Sequence, residues 1–244
     1  MRIEPFAVGD IIHVYNRGNR KMDIVRDESD RYRFLISLRY LNDEHPSELV
    51  MRAICGEKKY RDNSRRSDLR ELGWPEGASP QKPLVEIVAY CLMPNHFHIL
   101  MREIVAGGIT SFMRKLGTSF TSYTNVKYGE SGRIFQGAYQ ARLISDYSYL
   151  QYVDVYIQVL NPFELLPPDM PLMNFNGAFN CALDYRFGSL GESLGRINLG
   201  ILDRGPVAQK FNLPDTFGDY KKIAREAVFD QGIKKFLGEH TFDN

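Results

Sequence analysis

Tyr90-Cys-Leu-Met-Pro-Asn-His-Phe-His-Ile-Leu-Met101 sets two histidines, His96 and His98, one residue apart inside an apolar run. Pro94-Asn95 reads as a turn between two strands, 84–93 and 96–103, that form a hairpin. Residues i and i+2 of a strand face one side, so His96 and His98 point together and Phe97 points away. That geometry suits two imidazoles on one metal ion. The apolar flank Ile99-Leu100-Met101 buries the strand and holds the pair rigid. Two ligands alone do not make a site, and a solvent-facing pair on a half-buried strand is the plainer alternative.

Upstream of the hairpin, 11–19 (IIHVYNRGN) reads as a strand closed by a turn in which Asn and Gly take positive φ. Residues 27–43 have helical apolar spacing, with Asp27 or Ser29 able to cap. The stretch 44–83 is polar, charged and punctuated by Pro and Gly, and reads as an insertion. Downstream, 108–129 reads as a helix with Ile109, Phe112, Met113, Leu116 and Phe120 on its apolar face. Residues 133–144 read as extended, and 146–162 as a helix ended by Asn161-Pro162. A Pro/Asn/Gly-rich stretch, a polar segment and a last helix over 217–238 follow. The order predicts an α+β fold: a ferredoxin-like antiparallel sheet with helices on one face, an insertion and a helical C-terminal extension. The catalytic unit is expected over 1–165 and the extension over 166–244.

The 244 residues are 43% hydrophobic and 25% charged, as in soluble globular proteins. No apolar run reaches the ~20 residues of a membrane span, and the first ten residues lack a signal core. Cys55, Cys91 and Cys181 are scattered, which argues against a disulfide framework and for a reducing cytoplasm. The net charge of +1 hides two local excesses of +4, over 51–70 and 102–142. Such stretches track phosphates or merely face solvent.

The motifs HVYNRGNRK, YCLMPNHFHIL, YGESGRIFQGAYQARLI and SYLQYVDVYIQVLNP, in that order between about residues 8 and 165, resemble those of the single-tyrosine HUH transposases. The nearest branch is that of the REP-associated tyrosine transposases, relatives of the small insertion-sequence transposases. The resemblance implies that His96 and His98 bind a divalent ion, Mg²⁺ or Mn²⁺, that polarises a scissile phosphate of single-stranded DNA. A helix tyrosine then attacks, leaving a 5′-phosphotyrosine and a free 3′-hydroxyl. A phenol with pKa near ~10 is a weak nucleophile at neutral pH, so it needs such help. The implied partner is single-stranded, hairpin or repeat DNA in a bacterial cytoplasm, with no membrane; monomer and homodimer both stay open.

Matching SYLQYVDVYIQVLNP to the family motif puts the nucleophile at Tyr156, with Tyr152 one turn earlier in reserve. Relatives carry a polar metal ligand, Gln or Asn, four residues after the tyrosine. Here that position is Leu160, and Asn161 follows at the fifth. An irregular turn would return Asn161 to the metal; otherwise Gln158 or water takes the place. Asn16 and Arg17 are candidate phosphate contacts or turn residues. Arg114, Lys115 and Lys127, with Phe120 and Tyr123 between them, form a candidate basic, aromatic DNA face. His13, His45 and His240 are given no role. The shifted Asn161 also motivates a second reading, a domesticated protein that binds such DNA without cutting it. A Zn²⁺ hydrolase is disfavoured, because no His-Glu-x-x-His or further ligand cluster exists.

Overall fold

A computed structural model describes residues 6–55 and 72–230. Strands β1 (Ile11–Arg17), β2 (Val85–Leu92), β3 (His96–Glu103) and β4 (Gln140–Leu143) form one sheet in the order β2-β3-β1-β4. Each pairing is antiparallel. With helices α1 (Glu28–Leu41) after β1 and α3 (Gly108–Tyr128) after β3, this is the expected split βαβ arrangement. Between α1 and β2, the insertion holds a short helix α2 (Glu48–Cys55); residues 56–71, with most of the first basic stretch, lie outside the described residues.

Side-chain alternation divides the sheet into two faces. Ile12, Val14, Leu92, Phe97, Ile99 and Met101 meet Phe34 of α1 and Phe112 and Phe120 of α3 in one core. Phe97 is its hinge point, with ring centroids 5.2 Å from Phe34 and 5.8 Å from Phe135. α1 begins at a capping box, in which Asp27 accepts from the Asp30 backbone and Asp30 from that of Asp27. Such caps contribute about 1 kcal/mol.

The opposite face is also covered, which adds a second helical layer to the expected single one. Ile11, Ala89, Cys91 and Leu100 pack there against the segment that follows β4. The reason is visible in β2 and β3, where both sets of alternate residues are buried, so neither face tolerates water. The covering segment starts as α4 (Tyr147–Val155), continues as a π-helical turn over Tyr156–Leu160, and ends as α5 (Asn161–Phe163). The extension behind it is more helical than the polar sequence predicts. It adds α6 (Met170–Met173), α7 (Phe175–Asp184), α8 (Leu190–Ser193), α9 (Gly205–Phe211) and α10 (Phe217–Phe229). The predicted continuation of the last helix over 231–238 lies outside the described residues.

Two expectations are corrected. Of 133–144, only Gln140–Leu143 is a strand; Phe135 instead bridges to Gly18 and joins the core. In the turn after β1, Gly18 has φ −59°, while Arg20 and Lys21 carry positive φ of 55° and 62°. Gly18 is required for closeness rather than for φ: a Cβ there would lie 1.9 Å from the Met22 carbonyl oxygen.

Candidate active site

Strand register gathers the site. β1 runs antiparallel to β3 with Tyr15 opposite His98 and Arg17 opposite His96. Paired residues share a face, so His13, Tyr15 and Arg17 stand with both histidines on the side away from Phe97. Asn16 stands on the other side, where its amide donates to the Gly137 carbonyl and its carbonyl caps the Arg17 N–H.

The two histidines are each gripped at the same ring atom. His96 Nδ1 lies 2.6 Å from Asn95 Oδ1, in the turn that joins β2 to β3. His98 Nδ1 lies 2.8 Å from His13 Nε2. That turn is itself braced by the end of β1: Gly18 N–H donates to the Asn95 carbonyl and Ile24 N–H to the Pro94 carbonyl. His96 Nε2 is 3.9 Å from Glu164 Oε2. The His98 ring meets the Tyr156 ring edge to face, with centroids 5.5 Å apart. Burial holds His98 well below the usual imidazole range, with His13, His96 and Arg17 adding to the effect. Burial, then Arg142, holds His13 down at about 3. Both rings are neutral near pH 7, the state in which an imidazole ligates.

The shifted asparagine is accommodated by the π-helical turn. The Asn161 N–H bonds to the Tyr156 carbonyl, five residues back instead of four. One extra residue is thus absorbed in a single widened turn, and Asn161 takes the place that the fourth residue has in an α-helix. Glu164, one turn further on, bonds back to the Asn161 carbonyl. Asn161 is thus flanked along its helix by Tyr156 and Glu164, each of which meets one of the histidines. Its side chain is fully buried, and neither amide atom has a hydrogen-bond partner among the described residues. A buried amide in that state costs roughly 1–3 kcal/mol and calls for a partner such as an ion.

Gln158, the alternative ligand, is spent elsewhere. Its amide nitrogen donates to Asp154 Oδ1 (2.8 Å) and Tyr220 Oη (2.7 Å). Its oxygen accepts from Ser189 (2.9 Å) and Ser193 (2.7 Å). Arg204 closes the cluster on Asp154, Tyr220 and the Pro214 carbonyl. The extension thereby grips the tyrosine-bearing helix through buried polar groups. Tyr152, the reserve nucleophile, lines a groove with Ala208, Asn212 and Glu226 between that helix and the extension. Tyr149 is buried, which raises its pKa to about 12. Tyr15, which the sequence reading passed over, does reach the pair, its ring centroid 5.7 Å from that of His98.

Of the cations expected on α3, only Arg114 lines an open groove, beside Arg133, Thr118, Thr121, Asn125 and Tyr139. Lys115 donates to the backbone carbonyls of Asp43 and Glu44. Lys127 is bound to Asp27 and Asp30 at 2.6 Å each. Both lysines hold helices together. Arg17 pairs with His96 across the strands, and Arg20 and Lys21 follow in the next turn.

His96, His98 and Asn161 would offer two imidazole nitrogens and one amide oxygen, a mixed donor set for a divalent ion rather than the all-oxygen set of a hard cation. Among the described residues, no three of His, Cys, Asp and Glu gather as a metal cluster, and the third candidate here is an amide. Nor, among them, is any helix long and apolar enough to cross a membrane.

Residues 78–159 match the family described as "Transposase IS200 like", so the resemblance carried by the motifs is borne out over that segment. No curated protein matches the chain. A solved structure described as a REP-associated tyrosine transposase bound to a REP hairpin is similar at 14% identity, covering 80% of this chain and 85% of that one, with a TM-score of 0.45.

Proposed function

We propose that this protein is a DNA transposase or endonuclease that cuts and rejoins single-stranded hairpin or repeat DNA through a 5′-phosphotyrosine. The observation that carries the reading is the meeting of the Tyr156 ring with His98 of the His96/His98 pair, on a π-helical turn that brings Asn161 to one turn beyond the tyrosine. The match of the central segment to IS200-like transposases supports it.

The chemistry follows from the groups present. Tyr156 Oη attacks the scissile phosphorus; the Oη–P bond forms and the bond to the 3′-oxygen breaks. The phenol proton passes to solvent, and the departing 3′-oxygen takes one up. Mg²⁺ or Mn²⁺, held by His96, His98 and Asn161, would act as a Lewis acid on the phosphate oxygen. Arg17, across from His96, would contact a backbone phosphate, and Arg20 and Lys21 in the following turn would add to the local positive charge. The Tyr156 ring is largely buried, so its hydroxyl must become accessible before it meets a phosphate. The histidines and the tyrosine come together within one chain, which supports action without a second copy.

The test is an adduct assay with end-labelled hairpin oligonucleotides and Mn²⁺. Wild-type protein should carry label to its own size on a denaturing gel, and Tyr156→Phe and His96→Ala should not. Tight binding with no labelled adduct would favour instead a DNA-binding relative without cleavage.

A further inference from the structure

We infer that His13 is a positioning residue for the cation site: it fixes the tautomer and ring angle of His98 so that Nε2 is presented for ligation. The inference rests on the cation reading above, but not on cleavage.

His13 and His98 are both fully or almost fully buried, at 3% and 0% exposed. They come from neighbouring strands, offset by one pleat: His13 pairs with Leu100, and His98 pairs with Tyr15. The 2.8 Å contact joins His13 Nε2 to His98 Nδ1, and the rings stack with centroids 5.0 Å apart at 26°. Ring nitrogens facing each other at this distance share one proton between them. If His13 Nε2 carries it, His98 is protonated on Nε2 and cannot ligate. If His98 Nδ1 carries it, His98 Nε2 has a lone pair and His13 Nε2 is the acceptor. Ligation therefore demands the second arrangement, and His13 supplies the acceptor it needs. Outer partners of this kind orient ligating histidines and set their basicity.

His96 shows the same device with different chemistry. Its Nδ1 is held by the Asn95 oxygen, an acceptor with no second tautomer. The two ligands are thus both gripped at Nδ1, one by an amide and one by a third histidine. Tyr15 flanks the His13 and His98 rings, with centroids 5.1 Å and 5.7 Å away, and restricts their rotation. The site is accordingly a set of three histidines, two that ligate and one behind them.

The experiment measures Mn²⁺ affinity of the full chain by calorimetry, without DNA, for wild type, His13→Gln and His13→Phe. Circular dichroism checks that each is folded. Gln keeps an acceptor on a side chain of similar reach, and Phe keeps the ring without one. His13→Phe should weaken Mn²⁺ binding on the order of 10–100-fold, and His13→Gln should restore most of it. Equal affinity for wild type and a folded His13→Phe overturns the inference and leaves the cation reading standing. Wild type that binds no Mn²⁺ overturns the cation reading, and the inference with it. Should His13→Phe fail to fold, ¹⁵N ring shifts of His98 in the metal-free wild type decide. The Nδ1–H tautomer supports the role of His13, and the Nε2–H tautomer overturns it.

Discussion

The backbone N–H of Asn161 reaches the carbonyl of Tyr156 across five residues, so two residues spaced one further apart than the motif expects stand one turn apart. A π turn costs some hydrogen-bond geometry and survives where packing or function holds it. Deleting Leu160 should convert the turn to ordinary α geometry and leave Asn161 in the same place relative to Tyr156. Mn²⁺ affinity should then stay within about tenfold of wild type, since the ligand set is unchanged. Inserting one alanine after Leu160 should rotate Asn161 away and lose that affinity. Calorimetry on the two variants separates these outcomes; equal losses in both would contradict the compensating turn.

Two tyrosines reach the His98 ring, Tyr156 from the helix and Tyr15 from β1. Only Tyr156 matches the motif, and Tyr15 is tied to a central strand. Tyr156→Phe should abolish the labelled adduct without weakening DNA binding. Tyr15→Phe should keep the adduct, with a rate change of no more than about tenfold from the altered packing of His13 and His98. Peptide mapping of the adduct identifies the residue directly.

If one chain builds the whole site, two inactive variants cannot rescue each other. Mixing Tyr156→Phe with His96→Ala should give no adduct above either alone. Restored label would reveal that the helix of one copy serves the histidines of another.

Arg204 binds the buried Asp154 at 3.3 Å beside the Tyr156 helix. Replacing it by Met leaves a buried carboxylate without its cation, a change that typically costs about 3–5 kcal/mol. Arg204→Met should therefore lower the midpoint of urea unfolding strongly. The double variant Arg204→Met/Asp154→Leu should recover much of it, because both buried charges are gone.

Acid should loosen the start of α1. Burial of Asp27 works against its charge, but Lys127, Ser29 and the Asp30 N–H outweigh it and hold the carboxyl at about 2. A depressed carboxylate contributes stability that is present above its unfolded value, near 4, and is lost as pH falls through about 2. Asp27 is half exposed, so the contribution is about 1 kcal/mol after screening. Asp27→Asn should flatten that part of the stability–pH curve between pH 4 and 2.

Much of this architecture is legible in the sequence. The hairpin, α1 with its Asp27 cap and α3 follow from apolar period and turn chemistry, which are local. So does the common facing of His96 and His98, because strand alternation has a fixed period of two. What local reasoning could not reach was register. That His13 belongs with His98 depends on how β1 slides along β3, and nothing within IIHVYNRGN states it. A clue lay in parity: His13, Tyr15 and Arg17 alternate, so one polar face was available for a site. Lys115 and Lys127 misled for the matching reason. Their charge was visible, but not the carbonyls of Asp43 and Glu44 or the carboxylates of Asp27 and Asp30 that they meet. The extension's helices were obscured by Pro, Asn and Gly, which here sit mainly at caps and first turns.

The grip of the extension on the tyrosine helix also sets an order of events during synthesis. A ribosome makes the histidine hairpin first, Tyr156 next, and Arg204 and Tyr220 later still. The groups that steady Gln158 and Asp154 beside the tyrosine are therefore the last to arrive. A nascent chain that has produced Tyr156 has not yet fastened its helix, and a chain interrupted before Arg204 leaves Asp154 without its counter-charge. The helix that carries Tyr156 is thus made before the residues that hold it in place.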